Sequence, residues 1–286
     1  MHSNRRVAPV LAAALLASAF AINGALGAQA AAAADKDFSP SVGQEGKDVI
    51  WVPTPQALVE RMLEMAGTKA ADYVVDLGSG DGRTVITAAK KFGANALGVE
   101  FNPNMVELAK RAAEKEGVAG KARFVQGDIF QTDFSKATVL TLYLLPSLNV
   151  KLRPTILDMR PGTRVVSHAF TMDDWQADQV DSADGRTAYL WIVPAKIAGT
   201  WKIDAGSRNY EAQFTQQYQN IGGSAKADGK VVQFSNGKLR GDTITFAIDD
   251  GARRDFTGKV VGNKMEGTVK GAGAESKFTA TKLDQQ

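Results

Sequence analysis

The chain of 286 residues contains no cysteine and only two histidines, His2 and His168. The first absence excludes disulfides, thiolate metal sites and cysteine nucleophiles. The second leaves no set of imidazoles for a histidine-ligated metal centre, and no metal is expected. There is no Walker loop and no G-x-S-x-G elbow, so neither P-loop nor nucleophile-elbow chemistry is on offer. A strong excess of one charge is missing too: the formal net charge is +3, and setting aside Arg5 and Arg6 leaves 32 basic against 31 acidic residues. Such a surface carries no nucleic-acid footprint. What is present is a 44% hydrophobic content, enough for two modest domains with cores of their own.

Residues 1–33 read as a signal peptide or N-terminal anchor. Met1 to Arg6 are basic, residues 7–22 are almost wholly apolar, and small residues run on through Ala34. The apolar run falls short of a comfortable span of about 20 residues, and the alanines behind it suit cleavage near Ala30. An exported, periplasmic or membrane-associated protein is expected, with an uncleaved anchor as the alternative.

The densest signal lies further in. Val74-Val75-Asp76-Leu77 is an apolar strand ending on an acid, followed by Gly78-Ser79-Gly80-Asp81-Gly82 and then by Arg83 to Lys91, which has helical character. A strand, a glycine turn and a helix in this order form a backbone-lined cradle at a switch point of a parallel sheet. Glycines at 78, 80 and 82 tolerate positive φ and leave room for a ligand. A dinucleotide site wants G-x-G-x-x-G; the spacing here is G-x-G-x-G behind an acid, which resembles class I methyltransferases that use S-adenosyl-L-methionine (SAM). NAD is the alternative. Ala94 to Glu100 is a second strand, ending in a carboxylate 22 residues beyond Gly78, where a ribose-binding acid is expected. A third, Ala122 to Gln126, leads to Asp128 and Ile129 at the expected adenine position. Asp76 is placed to hold loop amides or a ligand ammonium group.

A narrower resemblance rests on Trp51-Val52-Pro53-Thr54-Pro55, Asp76 to Arg83, Gly98-Val99-Glu100, Leu142-Tyr143-Leu144-Leu145-Pro146 and Pro161 to His168. Together these stretches, within residues 48–194, resemble the ATP synthase c-subunit lysine N-methyltransferase family and its bacterial relatives. The resemblance implies methyl transfer from SAM to the ε-amine of a lysine in a protein, with a membrane protein among the candidates. It implies a cofactor pocket lined by Thr54 and the strand-end acids, and an acceptor slot at Tyr143 with Pro146 fixing the turn. Tyr143 is alternatively a plain strand aromatic. Trp51, His168, Phe170 and Trp175 are secondary candidates for the same slot. A small-molecule methyltransferase, or an envelope binding protein with a vestigial SAM domain, remains open.

Strands and helices alternate over residues 34–194 as a doubly wound, Rossmann-like α/β sheet requires. Further strands are expected at 137–142, 164–167 and 188–193, and helices at 104–116 and 150–159. Pro53-Thr54-Pro55 followed by Gln56 to Ala66 reads as a capped amphipathic helix that lids the cofactor pocket. From residue 195 the texture changes: 13 of the 28 glycines fall there, and the turn pairs Asp228-Gly229, Asn236-Gly237 and Asp250-Gly251 separate short alternating runs. Two similar six-residue stretches begin at Gly237 and Gly258. A small antiparallel meander or barrel is expected over 195–286, serving either to dock a partner or simply to stabilise.

Overall fold

A computed structural model describes residues 38–206, 208–271 and 275–283; the leader read over residues 1–33 lies outside the described residues. The first part of the chain builds a seven-stranded sheet. Its parallel core comprises β1 (Tyr73–Leu77), β2 (Asn95–Glu100), β3 (Ala122–Gln126), β4 (Val139–Leu142) and β5 (Arg164–His168). An antiparallel hairpin of β6 (Gln179–Ala183) and β7 (Arg186–Ile192) continues it in the order β3-β2-β1-β4-β5-β7-β6. β1, β4 and β5 are buried almost throughout, which is why they read as unbroken apolar runs. The register pairs Leu77 with Val99 and with Leu142. The carboxyl ends of β1, β2 and β4 therefore finish at one edge.

Helices α1 (Gln56–Met65), α2 (Arg83–Phe92) and α3 (Pro103–Lys115) cover one face, where Leu58, Val85 and Ala109 meet Val139 and Val166. The other face carries α4 (Pro146–Leu157) and irregular chain, with Leu152, Ile156, Trp175 and Trp191 against Leu140 and Leu142. α4 starts four residues earlier than its expected position because Pro146 occupies the first turn, where a missing N–H costs nothing. α1 forms as expected but differs in two respects. Its N-cap is Pro55, with no side-chain cap, and Leu58, Val59, Met62 and Leu63 are buried against the sheet. Only Met62 reaches the cavity described below, so α1 is a wall of the core and not the lid. β6 was hidden in the sequence because Q-V-D-S-A is an exposed edge strand, with Val180 57% accessible. Its Asp184-Gly185 turn has φ of 51° and 68°, the backbone a tight hairpin demands.

The second part is a closed barrel of eight strands: β8 (Gly199–Asp204), β9 (Asn209–Gln217), β10 (Asn220–Ala227), β11 (Lys230–Arg240), β12 (Thr243–Asp249), β13 (Arg253–Val261), β14 (Lys264–Lys270) and β15 (Glu275–Lys282). Each pairs antiparallel with the next, and β15 returns to β8 through pairs such as Ala280 with Ile203. Alternation decides the inside: along β9, Tyr210, Ala212 and Phe214 are buried between exposed neighbours. Asp228-Gly229 and Asp250-Gly251 do turn hairpins. Asn236-Gly237 does not; it lies inside β11, at a register shift between Ser235 and Lys238. Asn236 adopts φ 54° there, and a Cβ on Gly237 would stand 2.2 Å from the Ile221 carbonyl oxygen. The pair is a bulge that bends the barrel wall. The two similar six-residue stretches end in equivalent places, the β11–β12 and β13–β14 turns.

The barrel interior is filled by an aromatic cluster in which Phe246 stacks on Phe256 at 4.6 Å and meets Phe214 edge-on at 5.3 Å. Phe246 is 2% exposed, so Phe246→Ala is expected to lower stability by about 3–5 kcal/mol, as large core truncations do. Equilibrium denaturation monitored by barrel-specific hydrogen exchange measures this; a loss below about 1 kcal/mol would show the cluster to be loosely packed.

Candidate active site

A cavity of about 640 Å³ opens where β1, β2 and β4 end. Its floor is the β1–α2 loop. Gly78 donates its N–H to the Val99 carbonyl at 2.8 Å, folding the loop back over β2. At Gly80, φ is 54° and a Cβ would stand 2.7 Å from Nε1 of Trp51, so both backbone shape and space require glycine. The Glu100 carboxylate grips the loop from the end of β2: Oε2 accepts from Gly80 N–H at 3.0 Å and Oε1 from Asn102 N–H at 2.9 Å.

Asp76 lies deeper and is 7% exposed. Burial raises its carboxyl to a pKa of about 7, opposed by the Thr141 hydroxyl, which donates to Oδ1 at 2.6 Å, and assisted by the charges of Asp81 and Glu100. On the far side Asp128 accepts from Lys47 Nζ at 2.5 Å and from Phe130 N–H at 2.9 Å. Those two donors, Lys47 first, hold its carboxyl below the usual range. Ile129 adds an apolar wall, 9% exposed.

Lys47 belongs to a strap that no motif or periodicity announces in the sequence. Gly43 N–H donates to Trp51 O and Trp51 N–H to Gln44 O, both at 2.9 Å, closing a small hairpin along the cavity mouth. Lys47 also lies 5.0 Å from the centre of the Phe101 ring. Two close glycines, Gly43 and Gly46, were the available signal for this turn. Arg83 anchors the exit of the strap, donating to Thr54 O at 2.8 Å while its guanidinium pairs with Asp81.

Beside β4 the wall becomes aromatic. Tyr143 stacks on His168 with ring centroids 3.8 Å apart, and Phe170 follows at 6.2 Å from Tyr143. His168 is 1% exposed, and burial, with repulsion from Arg186, pushes its pKa down to about 4; the ring is neutral at physiological pH. Its Nδ1 lies 3.0 Å from the Thr54 hydroxyl. Nε2 has no partner among the described residues.

Of the residues singled out from the sequence, the cavity thus gathers Thr54, Asp76, Gly78, Gly80, Glu100, Asp128, Ile129 and Tyr143. It does not gather Gly82 or Pro146. Gly82 ends the loop at φ 82°, and a Cβ there would meet the Phe124 ring at 2.7 Å; its bareness serves packing under α2. Pro146 is exposed at the start of α4. Among the secondary candidates, Phe170 lines the cavity, and Trp51 covers Gly80 rather than the aromatic side. Trp175 is fully buried beneath.

Residues 76–179 match the family model described as the ANTKMT methyltransferase domain. A protein-lysine N-methyltransferase of Saccharolobus islandicus is 44% identical over 151 residues, covering 51% of this chain and 94% of that protein. The chain belongs to this methyltransferase family. The human ATP synthase c-subunit lysine N-methyltransferase is 33% identical over 131 residues, covering 46% of the chain and 55% of the human protein. The crystal structure of an RNA methyltransferase from Salinibacter ruber in complex with S-adenosyl-L-homocysteine (SAH) is similar at 50% identity and a TM-score of 0.50, covering 51% of the chain and 96% of that protein. All three matches cover about half of the chain.

The methyltransferase uses SAM, and its cavity fits that cofactor: it is floored by the Gly78–Gly80 loop, and three carboxylates at or just beyond strand ends offer acceptors for hydroxyl, amino and ammonium groups. Bound SAM supplies an electrophilic methyl group on a sulfonium.

Proposed function

We propose that the methyltransferase transfers the methyl group of SAM to the ε-amine of a lysine in a protein. The observation that carries this reading is the union in one cavity of a glycine-and-carboxylate cradle with an aromatic-walled slot at the end of β4, where Tyr143 and Phe170 reach the opening. The archaeal relative, almost all of whose length is matched, supports the same acceptor class.

A lysine must lose its proton before it can attack, and a slot lined by Tyr143, Leu144 and Phe170 disfavours the ammonium form by desolvation. Tyr143 is half-buried, and its hydroxyl is the polar group of that wall. Tyr143→Phe is expected to leave SAH affinity within about twofold while slowing transfer about tenfold, the worth of one hydrogen bond made at the reacting nitrogen. Calorimetry and single-turnover transfer read the two separately; equal loss in both would remove the acceptor role.

The leader pattern and the apolar residues at the mouth, Ile50 at 59% and Leu145 at 44% exposure, support an exported protein acting on an envelope or membrane protein. Incubating the protein with tritiated SAM and a membrane extract tests the acceptor class. Label that survives nuclease and is lost to protease is expected. Label lost to ribonuclease would favour an RNA acceptor, the reading that the Salinibacter relative supports, and label confined to organic-soluble metabolites would sink the protein acceptor.

A further inference from the structure

The chain between β5 and β6 carries Phe170 at the cavity and is held in an uncommon shape. Ala169 and Asp173 have φ of 62° and 58°, left-handed values that non-glycine residues rarely adopt. Such backbone persists where its surroundings over-determine it, and here five of its carbonyls are taken by side chains. Asn149 Nδ2 donates to Phe170 O and Thr171 O at 3.4 and 3.2 Å, and Arg153 to Met172 O at 2.8 Å, all from α4. Trp191 of β7 donates to Trp175 O at 2.7 Å.

The fifth of these bonds comes from the barrel. Gln219, 2% exposed in the turn between β9 and β10, donates Nε2 to Gln176 O at 2.7 Å and accepts at Oε1 from the Trp175 indole N–H at 3.0 Å. Its own carbonyl accepts from Leu239 N–H at 2.7 Å, fixing it to β11. The neighbouring Tyr218, itself at φ 55°, stacks on Trp175 at 5.7 Å and donates its hydroxyl to Asp174 at 2.9 Å. These pairings match donor to acceptor along three consecutive residues of the loop, Asp174, Trp175 and Gln176.

We propose that the β9–β10 turn is a positioning element for the methyl-acceptor side of the active site: Gln219 and Tyr218 hold residues 169–176, and through them Phe170 against Tyr143. The proposal rests on the reading of Tyr143 and Phe170 as the acceptor wall. It gives the barrel a part in the reaction without a residue of its own in the cavity.

The test uses the full chain with Gln219→Leu, and with Tyr218→Asn in case burial makes the first fold poorly; asparagine tolerates the left-handed backbone. Three quantities are read: hydrogen exchange of the 169–176 amides, SAH affinity by calorimetry, and single-turnover transfer of label from SAM into the protein of a membrane extract. The expected result is exchange at least tenfold faster in 169–176 but unchanged in the β1–α2 loop, SAH affinity within twofold, and transfer slowed fivefold or more. Unchanged exchange would overturn the proposal. So would faster exchange with unchanged transfer, or transfer and SAH affinity falling together. Failure of the lysine reading shows differently, as no lysine-borne label from the wild-type protein, and the exchange and SAH arms then still decide whether the barrel holds the loop.

Discussion

Glu100→Ala is expected to weaken SAH binding at least 100-fold while leaving the fold intact. The carboxylate is half-buried at the end of β2 and does two things at once: it accepts from Gly80 N–H and Asn102 N–H, and it presents its remaining lone pairs to the cavity. Removing it leaves two amides at the cavity without their acceptor and frees the β1–α2 loop. A ligand hydroxyl that donates to the charged carboxylate contributes about 1.5–3 kcal/mol, so two such bonds correspond to roughly 10²–10⁴ in affinity. Glu100→Gln separates the parts, because the amide oxygen keeps one N–H partner while its NH₂ faces the other; an intermediate loss is expected. Calorimetric titration with SAH measures both, and circular dichroism confirms the fold. Affinity within threefold of wild type in Glu100→Ala would show that the β2 carboxylate does not organise the site.

The parallel half of the sheet is legible because its central strands β1, β4 and β5 are buried on both faces and its glycine loop has a fixed grammar. Asp76, Gly78, Gly80, Glu100 and Asp128 come together because parallel strands in register bring their carboxyl ends to one edge. Elements whose meaning depends on distant partners were not legible. The Lys47 strap is local chain with no periodicity, and its importance arises only from contact with Asp128, 81 residues away. Asn236-Gly237 carries hairpin chemistry, yet the strand on its far side forces a bulge. Asp173-Asp174 is the exposed turn it reads as, yet Asp174 also accepts from Arg153 of α4 and, across the junction with the barrel, from Tyr218. Asp250 likewise looks like a turn acid but sits under the Tyr210 hydroxyl, which burial and that carboxylate push up to a pKa of about 12.

The same logic of long-range context makes Asp76 a source of pH dependence that composition does not suggest. Its carboxyl is raised to about 7, against an ordinary value of 3.8, chiefly by burial. A raised carboxyl pKa means that the empty protein holds a proton there below pH 7, and that its stability falls as the pH rises from about 3.8 to about 7 and is level above. A ligand ammonium reverses the preference, because it favours the carboxylate; binding below pH 7 then releases one proton. SAH affinity is expected to rise close to tenfold per pH unit up to about pH 6.5 and to level off toward 7.5, with proton release visible as a dependence of calorimetric heat on buffer ionisation enthalpy. Asp76→Asn retains an oxygen for the Thr141 hydroxyl but no charge. It should bind SAH about 100-fold more weakly at pH 7.5 and show a flat profile, since the titrating group and its charge-assisted contact go together. A flat profile in the wild-type protein, or an equally steep one in Asp76→Asn, would place the titration elsewhere and rule out Asp76 as the partner of a ligand ammonium group.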